Sequence, residues 1–125
     1  MIIRVFRTKV KPGTHKEYEA LIRERVVPLM LEAPGLISLH AGFPLDDPPE
    51  EFLLMSVWQD LASMKQFVGR RWREAVVLPG EEHLVLHSIV DHYEGEELTD
   101  RARLPIGAIE TLAVSVGAGS PADDD

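Results

Sequence analysis

Five histidines, a tryptophan set among arginines and one late tyrosine are the side chains with chemistry to offer. A histidine of ordinary pKa, near 6.5, can take a phenolic or carbon-bound proton at neutral pH. By strand parity His87 falls with Val85, Ile89 and Tyr93. A neutral imidazole and a phenol on one apolar face would line a cavity beneath covering helices, so His87 is the expected base and Tyr93 the group that binds a substrate oxygen. His92 has the opposite parity, with Leu84, Leu86 and Val90, so the two histidines are expected on different sheet faces. His40, grouped with Leu36 and Ser38, is either a core histidine or a substrate-site residue. His83 and His87 are four apart, but along a strand that offset spans roughly 13 Å, too far for one ion. His83 reads as a solvated neighbour of Glu81 and Glu82, with a place at the substrate site as the alternative. Trp72 lies beside Arg70, Arg71 and Arg73. An indole can stack on a planar ligand while Arg71 holds its carboxylate or phenolate; the competing role is a plug at the end of the core.

These groups need elements to carry them. Ile2 to Val10 mixes β-branched and cationic residues as a strand does. After Pro12-Gly13, Thr14 and Glu17 have capping-box spacing, and Tyr18, Leu21, Ile22 and Val26 recur at helical period, so a helix is predicted from about Thr14 toward Ala33, with a kink or a fresh short helix at Pro28. Leu36 to Phe43 and Phe52 to Trp58 read as strands joined by the acidic loop PLDDPPE. Asp60 caps a second helix with the stripe Leu61, Met64, Phe67 and Val68. A further short helix is predicted around Trp72 to Val76, and Leu84 to Tyr93 reads as the fourth strand. The order βαββαβ predicts an α+β, ferredoxin-like fold: a four-stranded antiparallel sheet with both helices on one face. Strands three and four are apolar on both faces, so the uncovered face needs a partner, and a homodimer is the simplest supplier.

Composition narrows the class. The chain has 125 residues with 45% hydrophobic side chains, enough for one domain. Twenty-one acidic against 13 basic residues leave a net charge of -8, which speaks against nucleic acid. No cysteine is present, so disulfides, thiol nucleophiles and thiolate metal centres are excluded. No metal and no cofactor is expected. Charged residues in the first eleven positions argue against a signal peptide, and no run reaches membrane-span length, so a cytoplasmic protein without a membrane partner is expected. Residues 1–95 form the expected domain. Residues 96–125 are expected to be an extension whose apolar middle, 104–116, docks on the domain or on the dimer partner before an acidic, disordered end.

The opening strand with Lys11-Pro12-Gly13 and a helix bearing Tyr18, the Pro34-Gly35 turn, Val57-Trp58-Gln59-Asp60, and the run from Trp72 through Pro79-Gly80-Glu81-Glu82-His83-Leu84 to His92-Tyr93-Glu94 together resemble the antibiotic biosynthesis monooxygenase family. The resemblance covers roughly residues 1–95 and implies a dimeric α/β barrel with a ligand cavity between sheet and helices. It also implies oxygenation of aromatic polyketides or quinols without metal or flavin, or, in some members, haem degradation. Family oxygenases commonly use an Asn on the first strand and a Trp on the second helix; haem degraders add a His. This chain has no Asn, and Phe6 and Phe67 stand at the matching positions. They are carried forward as substrate-binding candidates, and tight haem binding is not expected.

Two functions fit. One is a cofactor-independent monooxygenase acting on a planar aromatic, polyketide or quinol-like molecule, with a His base, an Arg for the anion and an aromatic wall. The other is a non-catalytic dimer of the same fold that binds or senses a small aromatic or apolar ligand.

Overall fold

The computed structural model describes residues 1–98 and residue 110. Along the chain run β1 (Ile2–Val10), α1 (His15–Leu21), a π-helical stretch (Ile22–Val26), α2 (Val27–Met30), β2 (Leu36–Gly42), β3 (Glu51–Trp58), α3 (Leu61–Val68), a 3₁₀ turn (Glu82–Leu84) and β4 (Val85–Glu94). The strands form one antiparallel sheet in the order β2-β3-β1-β4, the ferredoxin-like arrangement. The expectations for 104–116 and for the acidic end fall outside the described residues.

Local chemistry explains most of the boundaries. Asp60 caps α3 as predicted, its Oδ1 accepting the Ser63 N–H at 2.8 Å. At Gly35, φ is +87° and a Cβ would lie 2.5 Å from Ser63, so the turn into β2 takes only glycine. Pro28 cannot donate the N–H that continues an α-helical ladder. The chain widens into π turns just ahead of it, Val27 N–H reaching Ile22 O, rather than breaking. The predicted capping box does not form. Thr14 Oγ1 donates to Lys11 O at 2.7 Å, tying the helix start to the end of β1, while Glu17 turns outward to His83. Nor is there a helix at Trp72 to Val76: the segment between Gly69 and Glu81 is turn and extended chain, pinned by Glu74 N–H to Arg71 O.

The helices cover the sheet face that carries Phe52, Leu54 and Trp58, and the core on that side is split in two. One cluster joins Val10, Tyr18, Ile22, Phe52 and Leu84; the other joins Met30, Ala33, Leu54, Trp58 and Met64. Register puts them at opposite ends of β1 and β3, since Thr8 pairs with Phe52 and Ile2 with Trp58. The middle of β1 is left between them. The other sheet face carries Leu53, Met55, Ile89 and Tyr93; Leu53, Ile89 and Tyr93 are solvent-exposed.

Candidate functional site

Between the two core clusters lies a cleft of ≈ 640 Å³, within the range of small-molecule sites. Its floor is β1 (Arg4, Phe6, Thr8), Leu54 of β3, and Val85 and Ser88 of β4. Its walls are Tyr18, Val26 and Met30 from the first helical rod, Phe67 and Val68 from α3, and Arg70, Arg71, Val77 and Glu81 from the segment after α3. Phe6, Phe67 and Arg71 all line this cleft. Trp72 packs against the second cluster beside the cleft, edge-on to His92 at 4.9 Å, with the Arg73 guanidinium 4.3 Å above it. It is closer to the plug than to the stacking platform.

His87 and His40 fall elsewhere than parity predicted. β1 and β4 stay in register from Ile2↔Glu94 to Lys9↔His87, then Val10 pairs with Val85. Leu86 is an extra residue, a β-bulge, which separates Val85 from the face of His87. His87, Ile89 and Tyr93 consequently stand on the open sheet face, opposite Lys9, Arg7 and Ile3, and not in the cleft. An equivalent extra residue at Ile37 separates Leu36 from Ser38 and His40. His40 is exposed there, 3.3 Å from the Ser38 hydroxyl. His83, in the 3₁₀ turn, is exposed and paired with Glu17 at 3.1 Å.

His92 faces the covered side. Its Nε2 accepts from Arg4 Nε at 3.2 Å, which leaves the proton of the neutral ring on Nδ1. Burial, then the charges of Arg4 and Arg73, hold its pKa below the ordinary value, with Asp91 pulling the other way. Arg4 itself is 8% exposed. Desolvation lowers its pKa, and among the described residues it has no carboxylate partner. Sequence reasoning missed it. The available signal was parity: Arg4 shares its face with Phe6, Thr8 and Val10, opposite Ser56 and Leu54, so one of the two strand arginines had to go under the helices.

At the other end of the cleft sits a polar group made by two strands, a helix and the turn before β4. Thr8 Oγ1 and Ser88 Oγ are 3.0 Å apart, with Tyr18 on the wall beside them. Burial and the charge of Glu81 raise the Tyr18 pKa, with Thr8 opposing them. Glu81, which the sequence placed in a solvated loop, is 6% exposed. Its pKa is raised by desolvation, against the opposing charge of Arg25. The arrangement is a mostly apolar slot with a fixed cation at one end and a carboxylate with hydroxyls at the other.

No histidine lines this slot, so it offers haem no imidazole ligand, and His92 has its Nε2 occupied by Arg4. Among the described residues no three His, Cys, Asp or Glu side chains are grouped to hold a metal ion, and no helix is long and apolar enough to cross a membrane.

No protein of curated function matches the chain significantly. Among solved structures, a Deinococcus radiodurans protein described as a candidate antibiotic biosynthesis monooxygenase is 18% identical, covering 82% of this chain and 100% of its own, with TM-score 0.64. A conserved protein from Methanosarcina mazei is 21% identical over 77% of this chain and 94% of its own, TM-score 0.60. A variant of MhuD, solved with two manganese protoporphyrin IX molecules per active site, is 11% identical over 80% and 99%, TM-score 0.60. At these identities the likeness shows the fold. The sequence profile of the antibiotic biosynthesis monooxygenases matches residues 1–77, which carry β1 through α3 and most of the cleft wall. The chain belongs to the antibiotic biosynthesis monooxygenase family.

Proposed function

We propose that this protein is a monooxygenase working without metal or flavin on a planar aromatic, polyketide or quinol-like molecule, bound in the cleft as its anion. The observation that carries the reading is Arg4: a guanidinium buried in a mostly apolar slot with no carboxylate beside it among the described residues. Arginine does not shed its proton, so its desolvation is offset only by an anion. A substrate enolate or phenolate supplies one. Such an anion is electron-rich enough to reduce dioxygen itself. A ring-flanked methylene R₂CH₂ loses a proton, the carbanion adds O₂ and regains a proton as R₂CHOOH, and loss of water gives R₂C=O. Phe6 and Phe67 flank the flat rings, and the apolar walls exclude water from the anion.

The exposed apolar sheet face supports a homodimer, as in the family's dimeric barrels. Leu53 of β3 and Ile89 and Tyr93 of β4 stand on this face on either side of β1, with Arg7 and Ile3 as their β1 register partners, a surface that a second copy would bury.

The test is oxygen uptake with anthrone, a three-ring methylene acid, in chelator-treated buffer. One O₂ per anthraquinone is expected. A second reading has an observation of its own: Phe6 and Phe67 put hydrocarbon where family oxygenases commonly carry Asn and Trp. If the cleft binds anthrone without oxygen uptake, the protein is a binding or sensing dimer.

A further inference from the structure

Glu81 and Glu82 are adjacent, and the fold separates their fates. Glu82 is exposed and its Oε1 accepts the Gly80 N–H at 3.0 Å, closing its own turn. Glu81 turns inward, with 8% of its side chain exposed, and lines the cleft. Its Oε2 is buried and, among the described residues, has no hydrogen-bond partner. The nearest cation, Arg25 Nη1 from the π-helical stretch, is 3.8 Å away, beyond hydrogen-bond length and on a side chain 62% exposed. An orphaned buried carboxylate oxygen costs folding free energy.

We propose that Glu81 is the general base of the cleft, taking the proton from the substrate's acidic carbon or hydroxyl. The assignment rests on the oxygenase reading for its substrate. In the step, the substrate C–H bond breaks and its electron pair stays in the ring system. The proton forms an O–H bond on the Glu81 carboxylate, and the negative charge passes from Glu81 to the substrate, toward Arg4. After O₂ has added, the peroxide oxygen takes that proton back and the carboxylate is restored. The groups facing Glu81 suit the task. Tyr18 from α1 stays protonated, held up by burial and by Glu81 itself, and can hydrogen-bond the developing enolate. Arg25 opposes and Glu82 favours protonation of Glu81, while burial does most to lift its pKa toward neutrality, where a carboxylate is a stronger base.

The experiment separates deprotonation from oxygenation. Anthrone is incubated anaerobically in D₂O with wild-type protein, Glu81→Gln and Glu81→Asp, and loss of its methylene proton signal is followed by NMR, with binding measured by fluorescence. Wild type should speed exchange by about 100-fold or more over buffer. Glu81→Gln should fall to the buffer rate while binding anthrone within about twofold of wild type, and Glu81→Asp should retain partial exchange with an altered pH profile. Exchange that survives in Glu81→Gln removes Glu81 from the chemistry and leaves the oxygenase reading intact. Binding without exchange in wild type overturns the base assignment directly, and no binding overturns the cleft reading together with it. Exchange without oxygen uptake in air keeps Glu81 as the base and overturns the oxygenase.

Discussion

Replacing Arg4 with Met should make the protein more stable and a poorer anion binder at once. The Met side chain has a comparable length and no charge. In the free protein, Arg4 is 8% exposed, has His92 as its hydrogen-bonding side chain and lacks a carboxylate among the described residues. Removing a buried cation so poorly compensated should be neutral to stabilising, by up to about 1–2 kcal/mol. For a domain of this size that raises Tm by roughly 3–8 °C. In the liganded protein the same guanidinium donates charge-assisted hydrogen bonds, together about 1.5–3 kcal/mol, so affinity for an anion should fall about 10- to 100-fold. The assay is calorimetric titration at pH 8 with 2-naphthoate and with neutral 2-naphthylmethanol. Naphthoate should weaken by that factor and the alcohol should change by less than about twofold. His92 gives an internal check: Arg4 lowers its pKa, after burial, so the ring should titrate at higher pH in the variant. Equal loss of both ligands, or a destabilised variant with His92 unchanged, would refute the argument that Arg4 waits for an anion.

Glu81 titrates above the ordinary carboxylate range in the folded state, so the fold holds a proton that the unfolded chain has already lost. Stability from this group is therefore present at low pH and is lost as pH rises from the ordinary carboxylate range through the raised value. Glu81→Leu should gain on the order of 1 kcal/mol at pH 8 and less at pH 4 by urea unfolding; equal gains at both would contradict it. Sedimentation should give about 28 kDa, twice the 14.0 kDa chain, and Ile89→Glu on the exposed sheet face should shift it toward monomer. A dimer that survives Ile89→Glu would place the seam elsewhere. Haem titration should give no sharp one-to-one Soret band, since no imidazole lines the cleft; such a band would reopen the haem reading.

Much of the architecture was legible because punctuation and period agree. Pro12-Gly13, Pro34-Gly35 and Asp60 mark where elements start, and apolar spacing says what each is. Two bulges were not legible. Leu86 and Ile37 are β-formers in β-forming runs, and no side chain announces the extra residue that separates His87 from Val85 and His40 from Leu36. A single inserted residue sets which face a side chain occupies, so the bets on His87 and His40 turned on something carried by backbone pairing. Glu81 was hidden for a different reason: Pro79-Gly80-Glu81-Glu82 has the composition of a solvated turn, and only the tertiary path of the 69–81 segment over the cleft buries one of its carboxylates. Phe6, Phe67 and Arg71 line the cleft because they lie on elements, or beside one, whose phase was read correctly.

The central claim is that the cleft renders a substrate anion able to take one oxygen atom from O₂. Turnover of anthrone under ¹⁸O₂ tests it most directly. The account predicts anthraquinone heavier by two mass units, with the second labelled atom in water and unlabelled product when the label is supplied only in H₂O and exchange is controlled. Product that carries no label from ¹⁸O₂, or turnover that ceases when flavin or metal is stripped and returns when it is added, would contradict it.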